Sequence, residues 1–169
     1  MRVRRAVAAA ALLLFMTASA AAAQTTVILV RHAEKEAEPA NDPPLTSAGK
    51  ARAERLAEYL RDAGVDAIYS TPYVRTIDTA RPLAERLKIE ITRTPVQGGI
   101  TTFSQNIAAK LREHRNQTVL VVGHSNTLGP LIESLGTAGI PPIADDEYDN
   151  LFIVTIDADG STNLVRAKF

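Results

Sequence analysis

The sequence predicts one α/β domain: a three-layer sandwich with a largely parallel central sheet, helices on both faces and a C-terminal antiparallel hairpin. Three observations carry this. From Gln24 onward, short apolar runs such as "VILV", "VDAIYS" and "TVLVV" alternate with stretches of helical periodicity. The run at 119–122 is rich in β-branched residues and wholly apolar, as a central strand buried on both faces requires. Near the C-terminus, "LFIVTID" and "TNLVRAKF" flank Ala158-Asp159-Gly160, where Asp-Gly signals a hairpin turn.

Each element has its own reason. Val27–Val30 reads as the first strand, followed by the polar, proline-bearing loop "EAEPANDPP". Thr46 can cap a helix whose apolar positions Ala53, Leu56, Ala57 and Leu60 fall on one face, and Gly64 suits the left-handed residue just past its end. "VDAIYS" is the second strand. Tyr73–Leu87 is the second helix, with a kink or break expected at Pro82. Ile89–Thr92 forms a short third strand, and Phe103–His114 a third helix with Ile107, Ala108 and Leu111 on one face. Thr118–Ser125 is the fourth strand, and Pro130 suits the first turn of the helix after it. No repeat or linker suggests a second folded unit.

Residues 1–23 stand apart from this domain. "MRVRRAVAAAALLLFMTASAAAA" places Arg2, Arg4 and Arg5 before an apolar stretch and ends in small residues, the order of a secretory signal cleaved after Ala23. The leader implies a product, residues 24–169, exported to a periplasm and without a membrane span. Removing the leader takes away three arginines and no acids, leaving 16 basic against 19 acidic side chains. A mildly acidic domain has no global field for nucleic acid, so affinity for phosphate has to come from a local cluster. The chain has no cysteine, which excludes disulfides and cysteine-ligated metals. No protein partner can be inferred.

Such a cluster emerges where the strands end. The first strand ends on Arg31-His32, the second delivers Arg75 to the start of a helix, and the fourth ends on Gly123-His124-Ser125. In a parallel sheet these ends share one carboxyl edge, where ligands bind in open α/β sheets. Singly, each has a plain explanation: a solvated strand end, an Arg75–Asp78 pair along one helix, a turn histidine. Together they bring two arginines and two of the three histidines to one crevice. His114 reads as an exposed residue near a helix C-terminus.

In order along the chain, "LVRHAEK", "PLTSAGKARAERLAEYL", "IYSTPYVRTIDTA" and "VLVVGHSNT" resemble the histidine phosphatase superfamily, the phosphoglycerate-mutase-like fold, and in particular its compact bacterial branch. The glycine usual after Arg-His is Ala33 here. The resemblance implies a phosphatase acting on a small phosphorylated substrate, without metal or other cofactor. His32 would be the nucleophile that forms a phosphohistidine, while Arg31, Arg75 and His124 bind the phosphoryl group. Guanidinium forks match phosphate oxygens and stay charged. Adjacent arginines favour a neutral, nucleophilic His32, and a backbone carbonyl on its Nδ1–H would fix which nitrogen faces phosphorus. His124 is expected to work protonated, as a donor.

The proton donor to the leaving group is missing from its usual place, since "RTPVQGGITTF" holds no carboxylate. Glu34 is the first candidate; Asp42, Asp145, Asp146, Glu147 and Asp149 follow. An ester phosphatase outside the cytoplasm is the leading expectation. A phosphohistidine phosphatase acting on phosphoproteins and a non-enzymatic phosphate binder are the alternatives.

Overall fold

A computed structural model describes residues 24–169; the leader expected over 1–23 lies outside them. The order along the chain is β1 (Thr25–Arg31), α1 (Ser47–Tyr59), β2 (Val65–Ser70), α2 (Val74–Leu87), β3 (Ile91–Arg93), α3 (Gly99–Leu111), β4 (Thr118–Gly123), α4 (Ser125–Ser134), β5 (Asn150–Ile156) and β6 (Thr162–Lys168). The six strands form one sheet in the order β3-β2-β4-β1-β5-β6. Strands β1 to β4 run parallel, while β5 lies antiparallel to β1 and β6 antiparallel to β5. Parallel strands need crossovers, and the helices between them supply these on both faces.

Side-chain alternation along the central strands builds two cores. Val27 and Leu29 of β1, with Val119 and Val121 of β4, meet Phe103, Ile107 and Leu111 of α3 and Leu128, Leu131 and Ile132 of α4. Ile28, Val30, Leu120 and Val122 point the other way, onto Leu56 and Leu60 beside α1 and Ala80 and Leu83 of α2. Two buried faces explain why β1 and β4 read as unbroken apolar runs rather than as alternation.

Several boundaries differ from the sequence expectation. α2 runs unbroken through Pro82. Proline costs that helix one backbone hydrogen bond, to the carbonyl of Asp78, but Pro82 sits on a half-buried side where water can compensate. α3 is shifted toward the N-terminus, starting at Gly99 after Gly98 in the left-handed region (φ 71°). β3 is shifted toward the C-terminus. α4 begins at Ser125, immediately after the strand, so Pro130 falls in its second turn rather than its first. Gly64 does adopt a left-handed φ of 65°, but in the turn after α1 rather than as its direct cap. Thr46 caps α1 as expected, accepting from the Gly49 N–H at 3.0 Å.

Gly49 is required by close approach. A Cβ there would stand 2.1 Å from the carbonyl oxygen of Glu34. The same oxygen accepts from the Thr46 N–H at 2.9 Å, so α1 is clamped onto the segment just beyond the end of β1. Among the described residues, no helix is long and apolar enough to cross a membrane.

Candidate active site

The carboxyl ends of β1, β2 and β4 do converge. A cavity of about 440 Å³ opens there, lined by Arg31, His32, Arg75 and His124 together with Lys35, Tyr73, Ser125, Asn126 and Asp145. His32 is 3% exposed, Arg31 5% and His124 9%, so the cluster is desolvated on its protein side. β1 and β4 are in register with Arg31 opposite Gly123, and the His32 N–H donates to the Gly123 carbonyl at 3.0 Å. That single bond sets His32 next to His124, with ring centroids 5.4 Å apart.

His32 Nδ1 lies 2.8 Å from the carbonyl oxygen of Ala33. A carbonyl can only accept, so Nδ1 carries the proton and Nε2 keeps its lone pair. The Ala33 peptide is itself fixed: its N–H donates to Thr79 Oγ1 at 2.9 Å, and that hydroxyl donates to the Arg75 carbonyl at 2.7 Å. One threonine thus ties the histidine turn to the helix that carries Arg75. Burial, and then the charges of Arg31, Arg75 and Lys35, lower the pKa of His32 to about 4, against the raising effect of the Ala33 bond. A neutral imidazole with an exposed lone pair can act as a nucleophile, a base or a ligand.

The two arginines are only partly spent. Arg31 Nη1 donates to the carbonyls of Ala144, Asp145 and Glu147, and the guanidinium lies 4.4 Å from the ring centre of Tyr148. Its Nε is buried without a hydrogen-bond partner. Arg75 stacks on Tyr73 at the same 4.4 Å, and its Nε and Nη1 are buried without hydrogen bonds. Nη1 approaches Asp42 Oδ1 at 3.5 Å, an ion pair without hydrogen-bond geometry. Buried donors without partners are rare and costly. Two guanidinium groups and two imidazoles lining one cavity are suited to an oxyanion.

His124 departs from the expectation of a protonated donor. Burial first, then Arg75, His32 and Arg31, lower its pKa to about 3, so the ring is neutral near pH 7. Its Nε2 lies 2.8 Å from Thr71 Oγ1. The alternative explanation for Arg75, a pair with Asp78, does not form; Asp78 instead pairs with Arg81 at 2.7 Å. His114 is half-buried rather than exposed, because its Nε2 lies 2.8 Å from the Tyr69 hydroxyl and its backbone carbonyl accepts from Thr25 Oγ1.

Glu34, the first candidate for proton donor, does not line the cavity. Arg52 grips both its carboxylate oxygens, at 2.9 and 2.7 Å, and these bonds lower its pKa. A carboxylate held ionised and turned elsewhere has no proton to give. Asp42 caps α2 through the Val74 N–H at 2.9 Å, Glu147 accepts from the Ala144 N–H at 3.0 Å, and Asp149 pairs with Lys168 at 2.9 Å. Of the six candidate acids only Asp145 lines the cavity, its carboxylate 3.9 Å from Arg31 Nη2.

Sequence reasoning missed Tyr73 and Tyr148, the rings against which the guanidinium groups lie, and the hydroxyls of Thr71, Thr76 and Thr79. Tyr73 stands two residues before Arg75 and was legible as a neighbour. Tyr148 arrives from the loop before β5, which carries no periodicity to place it.

Comparisons with known proteins bear on the fold and on part of the sequence. The profile described as histidine phosphatase superfamily (branch 1) matches residues 27–96. Phosphoserine phosphatase 1 of Hydrogenobacter thermophilus is 42% identical over 72 residues, a match spanning 39% of this chain and 34% of that protein. Among solved structures, a protein histidine phosphatase SixA complexed with tungstate aligns with TM-score 0.69 at 21% identity, over 85% of this chain and 96% of that one. A phosphoserine phosphatase from Entamoeba histolytica, complexed with 3-phosphoglyceric acid, aligns with TM-score 0.63 at 19% identity, over 83% of this chain and 95% of that one. Residues 27–96 thus resemble the histidine phosphatase superfamily, the solved phosphatase structures share the fold, and the match spans about a third of the curated relative's length.

Proposed function

We propose that this protein is a metal-independent phosphatase that hydrolyses phosphate esters through a phosphohistidine on His32. The observation that carries the proposal is the pair of guanidinium groups lining one cavity with an imidazole whose Nδ1–H is already committed to Ala33. In the proposed reaction His32 Nε2 attacks phosphorus, the P–N bond forms and the bond to the leaving oxygen breaks. The departing oxygen takes up a proton from solvent, which the attacking water later returns. Water then attacks the phosphoryl group, the P–N bond breaks, Nε2 recovers its lone pair and inorganic phosphate leaves. Arg31 and Arg75 hold the phosphoryl oxygens, each such charge-assisted contact being worth roughly 1.5–3 kcal/mol, and His124 completes the lining of the site.

Glu34's commitment to Arg52 favours a second reading, a phosphohistidine phosphatase, because a phosphoramidate needs less help from an acid than an alkyl ester does. The leader expected over residues 1–23 weighs against it, since an exported enzyme would not meet cytoplasmic phosphoproteins. The relative acting on phosphoserine makes an alkyl phosphate the first ester to try. A non-enzymatic phosphate binder is the third possibility.

Turnover of phosphate esters of graded leaving-group pKa, with phosphoserine and a phosphohistidine peptide alongside, separates the three. Turnover of aryl and alkyl esters that is abolished by His32→Ala supports the ester phosphatase. Cleavage of the phosphohistidine peptide with alkyl esters refused supports the second reading. Phosphate binding without turnover of any ester overturns both.

A further inference from the structure

We infer that Thr71, backed by Thr76, is a positioning residue that locks His124 with its proton on Nε2, so that a tetrahedral anion can be gripped by His124 only together with a second proton on Nδ1. The inference rests on the proposed anion site and adds a proton to its occupancy.

The direction of the hydrogen-bond chain carries it. Thr76 Oγ1 lies 2.9 Å from each of three oxygens: the Thr71 carbonyl, the Tyr73 carbonyl and Thr71 Oγ1. It has one proton. Oxygens at that distance with no proton between them repel, and carbonyls supply none. If Thr76 donated to Thr71 Oγ1, its lone pairs would face both carbonyls. If it donates to a carbonyl instead, the Thr71 hydroxyl donates to Thr76 and every proton is used. Thr71 Oγ1 then has only a lone pair left for His124 Nε2, 2.8 Å away, so Nε2 must bring the hydrogen. All three side chains are buried, Thr76 completely, so water does not rescue the other orientation.

With Nε2 spent on Thr71, Nδ1 is the remaining polar atom of the His124 ring; it faces the Thr127 N–H at the first turn of α4, a contact that favours a lone pair there and that an anion must displace. In the neutral ring it is a lone pair, which the surrounding cations favour: Arg31 and His32 from the end of β1, Lys35 beyond it and Arg75 from α2. Tyr73 packs on the ring at 5.2 Å, and Asp145 is the one carboxylate lining the same cavity. A lone pair facing an anion's oxygen is repulsive, whereas a proton between them makes a charge-assisted bond. Anion binding therefore draws a proton onto His124, and affinity falls as pH rises, by up to about tenfold per pH unit where the free ring is neutral and the bound ring protonated.

Sulfate is the probe, because it stays a dianion throughout the working range and every proton taken up belongs to the protein. Nitrogen-15 spectra of the free protein should show the His124 proton on Nε2, and with sulfate both nitrogens protonated. Calorimetry in buffers of different ionisation enthalpy should find uptake approaching one proton per sulfate near pH 5.5, retained in His32→Ala, which removes the other titrating ring. Thr71→Val frees the neutral ring to carry its proton on Nδ1, so it should flatten the pH profile and keep sulfate affinity near neutral pH at or above that of the parent, and Thr71→Ser should restore the steep profile. A free His124 protonated on Nδ1, or sulfate binding with no proton uptake, would overturn this inference and leave the anion site standing. Failure of sulfate to bind at all would overturn both.

Discussion

Glu34 and Asp145 illustrate how a side chain's neighbours, rather than its distance along the chain, decide its chemistry. Glu34 is two residues from His32, yet Arg52 on α1 turns it into a structural anion. Glu34→Gln should therefore leave turnover of an alkyl phosphate within about threefold, where loss of a true general acid would cost 10²–10⁴-fold. The same variant should lower unfolding stability by about 1–2 kcal/mol, since the pair is partly buried and bidentate; steady-state rates and urea midpoints measure the two effects. At this scale Arg31, His32, Arg75 and His124 were legible because each follows an apolar strand. The protonation of His124 was not legible, because it depends on how completely the fold removes water and on which cations stand nearby.

Secondary-structure elements were readable in kind more than in extent. Continuous apolar runs gave β1 and β4 their place in the middle of the sheet, and Asp159-Gly160 gave the final hairpin. Pro82 does not end α2 and Pro130 falls in the second turn of α4, because one missing hydrogen bond on a helix otherwise well packed against the sheet costs less than ending the helix. The early start of α4 matters for function, since it puts Ser125 in the helix rather than in a strand, with Ser125 and Asn126 both lining the cavity. Gly49 is where two elements touch most closely. Gly49→Ala should push α1 away from the Glu34 carbonyl and destabilise the fold by about 1–3 kcal/mol, read as a lower urea midpoint at unchanged slope.

For the molecule as a whole, the site is a stability liability that grows with acidity. His32 and His124 have pKa values of about 4 and 3 in the folded chain and return to about 6.5 when it unfolds. Below pH 6.5 the unfolded chain binds more protons, so their contribution is fully present above that pH. It drains as the pH falls toward 4, by up to about 1.4 kcal/mol per pH unit for each ring. Denaturation in anion-free buffer should follow that slope, and a His32→Asn, His124→Asn double variant should lose most of it. The near-balance of charge over the full sequence gives no hint of this local cationic cavity. Only the topology, which sets β4 between β1 and β2, brings its parts together.

The central claim is that His32 accepts phosphorus on Nε2 because Ala33 holds the proton on Nδ1. Rapid alkaline quenching during turnover, followed by mass spectrometry and phosphorus–nitrogen NMR of the His32 peptide, tests it most directly. The account predicts a phosphoryl group on Nε2 of His32 that disappears in His32→Ala. A phosphoryl group on Nδ1, or on any other residue of a chain that is turning over, would contradict it.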